Sequence, residues 1–144
     1  KGDLPGMLLV RENPQLLNLT GLEGITGITG ADSAGSSLQI RDNAALTSVN
    51  GLRGLQGDLP GLLQVSNCPE LTSISGIEGI TGVDGDLSMS NLPKLCLSED
   101  DRARLTTGIN ITGGGNATIP AAQWPSQCVA CPEPPAEGFD NGGP

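Results

Sequence analysis

Leucine, isoleucine and valine return along this chain in a fixed order. Set in register on an L-x-[VIM] core, Leu8 and Val10 align with Leu38 and Ile40, then with Leu63 and Val65, then with Leu87 and Met89. The steps between copies are 30, 25 and 24 residues. Five places after the first leucine stand Asn13, Asn43, Cys68 and Leu92, and eight places after it Leu16, Leu46, Leu71 and Leu95. Apolar residues then follow at every third place, as in Leu71, Ile74, Ile77, Ile80 and Val83. The opening KGDLPGMLLV matches GDLPGLLQV (Gly57 to Val65), the tail of one copy running into the next.

A spacing of three belongs neither to a strand, with its period of two, nor to an α-helix. It fits a chain that keeps turning and drops one side chain inward at each short step. Stacked copies then bury a continuous core that no single copy buries alone. The register predicts Ile40, Leu46, Val65, Leu71, Ile74, Ile77 and Ile80 inside, with Gln39, Arg41 and Gln64 outside and exposed. Asn13, Asn43 and Cys68 form a predicted inward ladder, in which an amide satisfies backbone groups left open where the coil bends. The segments GLEGITGITG, GLRGLQGDLPG and GIEGITGVDG are poor helices, since each glycine costs about 1 kcal/mol there relative to alanine. The predicted fold is mainly β: a right-handed β-solenoid of about four rungs, with short turns instead of long helices.

The L-x-[VI]-x-x-[NC]-x-x-L pattern resembles a leucine-rich repeat. The stretch SNLPKLCLSEDDRARL (Ser90 to Leu105) is similar to the closing segment of the receptor L-domain of the insulin and EGF receptor families. That resemblance covers roughly residues 8–131. It implies a C-terminal cap with one short helix, over Ser98 to Leu105, and a disulfide between Cys96 and Cys128. Two departures stand out: DDRARL replaces the tryptophan-bearing cap helix, and the chain is almost free of aromatics. The organisation implied is repeats over 1–95, a disulfide-closed cap over 96–131 with Trp124 against the last rung, and a Pro/Gly-rich linker or tail over 132–144. The start within a repeat implies that the chain is a piece, and that Lys1 marks an open solenoid end which something covers.

Composition narrows the chemistry. With 16 acidic and 7 basic residues the formal charge is −9. No basic patch is dense enough to grip phosphates, which argues against nucleic-acid binding. No apolar run approaches the roughly 20 residues needed to span a bilayer, so no direct membrane insertion is expected. There is no histidine, which excludes a Ser-His or Cys-His nucleophile within the chain. Asp42, Asp58, Asp84, Asp86, Asp100 and Asp101 are the carboxylates a polysaccharide-cutting solenoid would use, but GDLPG, VDGDL and SEDDR are turn and helix-start contexts. A calcium site at Asp84 and Asp86 and a zinc site at Cys128-x-x-Cys131 are weak signals. No cofactor, metal or catalytic residue is therefore expected. Four cysteines allow three full pairings, which the residues alone leave open.

Three N-x-[ST] sequons, at Asn18, Asn110 and Asn116, point to glycosylation of a secreted protein. The expected function is a non-enzymatic, secreted or cell-surface interaction module that binds another protein or a glycan. Its candidate face is Gln39, Arg41, Asp42, Gln64, Ser66, Ser88 and Ser90. Against a protein hot spot stands the lack of aromatics: no tyrosine, one phenylalanine and one tryptophan. The alternative is a structural glycoprotein subunit of an extracellular filament, coat or wall, built from copies joined end to end through solenoid ends and tail.

Overall fold

The computed structural model describes residues 2–95 and 103–118. They form a parallel β-solenoid of about four turns. One wall is a five-stranded sheet of β2 (Leu8–Arg11), β4 (Ser36–Arg41), β6 (Leu62–Ser66), β8 (Leu87–Ser90) and β10 (Ala117–Thr118). Pairing places Leu8 beside Leu38, Leu38 beside Leu63 and Leu63 beside Leu87, so the sequence register is the structural register. A second wall pairs β1 (Gly2–Leu4) with β3 (Ile25–Ile28), and β5 (Gly57–Leu59) with β7 (Ile80–Asp84) and β9 (Asn110–Thr112). The Gln56 N–H reaches the Thr26 carbonyl at 3.0 Å and links the two groups. The third wall has little strand: the Thr47 N–H donates to Leu17 O, the Thr72 N–H donates to Thr47 O, and Ser48 bridges Ser73.

The spacing of three has a backbone cause. Leu71 donates its N–H to Cys68 O, Ile77 to Ile74 O and Ile80 to Ile77 O, a run of turns each closed over three residues. The same turns recur at Leu46 to Asn43, Leu52 to Val49 and Leu55 to Leu52. Each closing residue drops its side chain inward. Ile40, Leu46, Val65, Leu71, Ile74, Ile77 and Ile80 are all at most 2% exposed.

Glycine sets how closely the rungs stack. A Cβ built on Gly79 would lie 2.2 Å from the Leu55 carbonyl oxygen of the rung before, and one on Gly54 would lie 2.5 Å from Glu23 O. Several of the glycines that make these segments poor helices are thus positions where one backbone rests on the next.

Two expectations are corrected here. Gln39, Arg41 and Gln64 are half-buried, not exposed. They stand in rows on a parallel sheet, flanked by same-row neighbours at the roughly 4.8 Å strand spacing, which shields their sides. The helix expected over Ser98 to Leu105 is described only from Ala103 onward. It continues past Leu105 as a short π-helical turn, Arg104–Gly108, with Leu105 buried. Residues 98–102, Cys96, Trp124, Cys128, Cys131 and the tail lie outside the described residues.

Candidate interaction face

The outer surface of the five-stranded sheet is laid out in rows by the pairing. Leu9, Gln39, Gln64, Ser88 and Thr118 follow one another in register across all five strands. The next row is Arg11, Arg41, Ser66 and Ser90. Gln39 donates through Nε2 to Ser36 Oγ at 2.9 Å, and Arg41 reaches the Asp42 carboxylate at 3.1 Å. Of the predicted face, Gln39, Arg41, Asp42, Gln64 and Ser88 are half-buried and Ser90 is exposed. Ser66 is not part of the surface: it is 4% exposed. It stands between Arg41 and Ser90 in register.

Of the expected ladder, Asn43 and Cys68 lie inside the coil. Asn43 is fully buried. Its Nδ2 donates to Val10 O at 3.0 Å, and its Oδ1 accepts the Asn13 N–H at 3.1 Å and Asn13 Nδ2 at 3.2 Å. Cys68 takes the same slot one rung on, fully buried, with its Sγ 3.3 Å from Ser66 O. Burial pushes the Cys68 thiol up from its ordinary range, partly opposed by hydrogen bonds from the Asn43 backbone and side chain. Asn13 departs from the prediction. It lies on the first rung, is exposed, and turns its Nδ2 to its own Arg11 carbonyl as well as to Asn43.

A second ladder escaped sequence reasoning. Glu12, Asp42, Asn67 and Asn91 all have φ between 53° and 59°. Each stands four places after the aligned leucine, where the chain leaves the strand and the left-handed conformation turns the corner. Asn67 Nδ2 donates to Asp42 Oδ1 and Asn91 Nδ2 to Asn67 Oδ1, both at 2.8 Å. The signal was available: Asp or Asn at three of four equivalent places, the residues that best tolerate this region.

The candidate carboxylates are engaged in structure. Asp58 Oδ1 accepts the Thr81 hydroxyl and Asp3 Oδ1 the Thr26 hydroxyl, the same bond on two rungs of the second wall. Asp84 accepts from Thr112, and Asp86 from the Asn116 N–H. Glu23 is held below its ordinary pKa by backbone N–H groups, its own first and then that of Gly21. A shallow cleft lined by Gly2, Asp3, Gly21, Gly24 and Ile25 offers one carboxylate, which already holds Thr26. Among the described residues there is no group of three or more potential metal ligands, and no helix is long and apolar enough to cross a membrane. Asp100 and Asp101 lie outside the described residues.

All three sequon asparagines are exposed. Asn18 accepts the Thr20 N–H in a local turn, Asn110 opens the strand β9, and Asn116 stands just before β10. No protein-family model, no curated protein and no solved structure matches this chain.

Proposed function

We propose that this chain is a non-enzymatic recognition module, related to the receptor L-domain, that works outside the cell and binds a glycan or another protein through the outer face of its five-stranded sheet. The observation that carries this reading is the row Gln39–Gln64–Ser88, polar and in register on a regular sheet. Side chains repeated at strand spacing suit a ligand that is itself repetitive, and amide and hydroxyl groups suit sugar hydroxyls better than an aromatic hot spot. The chain has no histidine, and Asp3, Asp58, Asp84 and Asp86 hold hydroxyl or backbone groups of the solenoid itself. Both facts favour binding over catalysis. The reading includes glycans on Asn18, Asn110 and Asn116 and a cap closed by Cys96 and Cys128.

The test is a glycan array probed with the secreted chain, displayed multivalently, beside a variant carrying Gln39→Arg and Gln64→Arg. The reading expects saturable binding to a defined class of saccharide that the double variant loses while keeping its fold. Binding equal in both proteins, or none above background, overturns the proposed face. Mass mapping of the same secreted material reports on the sequons and on the cysteine pairing.

A further inference from the structure

One step of the third wall recurs in successive copies: Thr20-Gly21, Asn50-Gly51 and Ser75-Gly76 hold the same place after Leu16, Leu46 and Leu71. In the later two copies stacking demands the glycine. A Cβ built on Gly51 would run into the Leu19 carbonyl of the rung before. One built on Gly76 would run into the Val49 carbonyl and lie 2.8 Å from Asn50 Cα. The residue before the glycine differs from copy to copy, and only the middle copy places an amide there. Asn50 is the one asparagine among the described residues that is followed by glycine. It is exposed, so water reaches it, while Gly51 is buried.

An asparagine before glycine is open to attack by the glycine nitrogen, because glycine puts no Cβ in the way and turns freely. Gly51 N bonds to Asn50 Cγ, and Nδ2 leaves as ammonia, taking up the proton from Gly51 N. The five-membered imide so formed has two carbonyls. Water adds to one or the other and opens the ring, to aspartate or to isoaspartate, whose main chain runs through the side chain and is one methylene longer. The folded rung withholds the first step. Ring closure needs Asn50 Cβ and Gly51 N on the same side of the Asn50 Cα–C bond. Asn50 opens a short 3₁₀ helix, Asn50–Leu52, and the ψ of such turns, about −20 to −30°, sets the two atoms roughly a quarter-turn apart. Hydrogen bonds hold this geometry. The Asn50 N–H donates to Ser48 Oγ at 3.0 Å, the Leu52 N–H to Val49 O at 2.9 Å and the Arg53 N–H to Asn50 O at 3.1 Å.

We propose that Asn50 is a self-modifying site gated by the stacking of its rung: it keeps its amide while the rung is closed, and deamidates through Gly51 N when the rung opens. Local opening of this kind precedes global unfolding. The isoaspartyl product does not restack, since Asn50 Cα and Gly51 lie against Gly76 on one side and the Leu19 carbonyl on the other, with no room for a longer main chain. Modification at Asn50 therefore marks chains that have spent time open and keeps them open there. The site belongs to the third wall and is independent of what the five-stranded sheet binds.

The test holds the purified 144-residue chain at mildly alkaline pH, folded in buffer or unfolded in concentrated urea. Samples are taken over time for peptide mapping, with isoaspartate scored by protein isoaspartyl methyltransferase. The expected result is steady conversion at Asn50 in urea, and conversion slower by roughly tenfold or more in the folded chain, where only the open fraction reacts. Asn50→Gln, which would need a six-membered ring, should fold like the wild type and stay unmodified in urea over the same time. Chains aged in urea and returned to buffer should fall into two classes. The aspartyl product, matched by Asn50→Asp, should regain nearly the wild-type unfolding midpoint, because the side chain is exposed. The isoaspartyl product should unfold at a lower midpoint. Equal rates in the folded and unfolded chain, no conversion at Asn50 in urea, or an isoaspartyl chain that regains the wild-type midpoint would each overturn the proposal.

Discussion

Asn43 shows what one side chain does at a corner of the coil. Its amide is fully buried, donates to the Val10 carbonyl and accepts from Asn13, so two rungs are tied through one residue. Asn43→Leu keeps the volume and removes these bonds, leaving the part-buried Val10 carbonyl and Asn13 N–H without their Asn43 partner. The expected loss is about 1–3 kcal/mol, read from the shift in urea midpoint at unchanged m-value. Cys68 fills the same slot one rung on, and its thiol should be blocked to Ellman's reagent until the chain unfolds. The pH dependence has a definite sign. Burial raises the folded thiol above its unfolded value, so its contribution is fully present below the ordinary thiol range of about 8.5 and is lost as pH rises through the folded value. A stability that rose from pH 8 to pH 10 in the wild type, and did so less in Cys68→Ala, would contradict this.

At the scale of the element, the rung is a strand followed by three-residue turns, and glycine fixes its distance from the next. Gly79→Ala drives a Cβ to within 2.2 Å of the Leu55 carbonyl oxygen, on backbone held by the Leu55 and Gln56 N–H bonds to Leu52 O and Thr26 O. The expected cost is at least that of an overpacked core, about 1–3 kcal/mol. Gly6→Ala, with nothing within 4 Å of its Cβ, is the control and should move the midpoint little. Differential scanning calorimetry on both variants checks the contrast. Much of the rung was legible in the sequence, because inward positions repeat and their register survives copies of different length. Leu8, Leu38, Leu63 and Leu87 align on paper and pair in space. What stayed hidden is set by neighbours in space. The half-burial of Gln39 and Gln64 follows from their row, and the 4% exposure of Ser66 has no signal in the alternation of its strand. The left-handed corner at Asp42, Asn67 and Asn91 was visible as composition, but only the φ values turn that composition into a ladder.

For the whole molecule, stability is a sum over rungs and the contacts between them. The four ion pairs among the described residues (Arg11–Glu12, Arg41–Asp42, Arg53–Glu23 and Lys94–Glu70) have side chains 30% or more exposed, so they add little. The apolar columns carry the fold, and a column residue is worth most where a rung lies on each side of it. Leu16 and Leu46 hold the same place in the repeat. In sequence they are equivalent, but Leu46 is 0% exposed between two rungs, and Leu16, on the first, is only partly buried. Leu46→Ala should therefore cost about 2–5 kcal/mol, as large-to-small changes in a closed core do. Leu16→Ala should cost less than half of that, because water already reaches the site and less of a cavity forms. Both are measured by chemical denaturation of the same preparation. Equal losses would mean that the first rung is as well covered as the second.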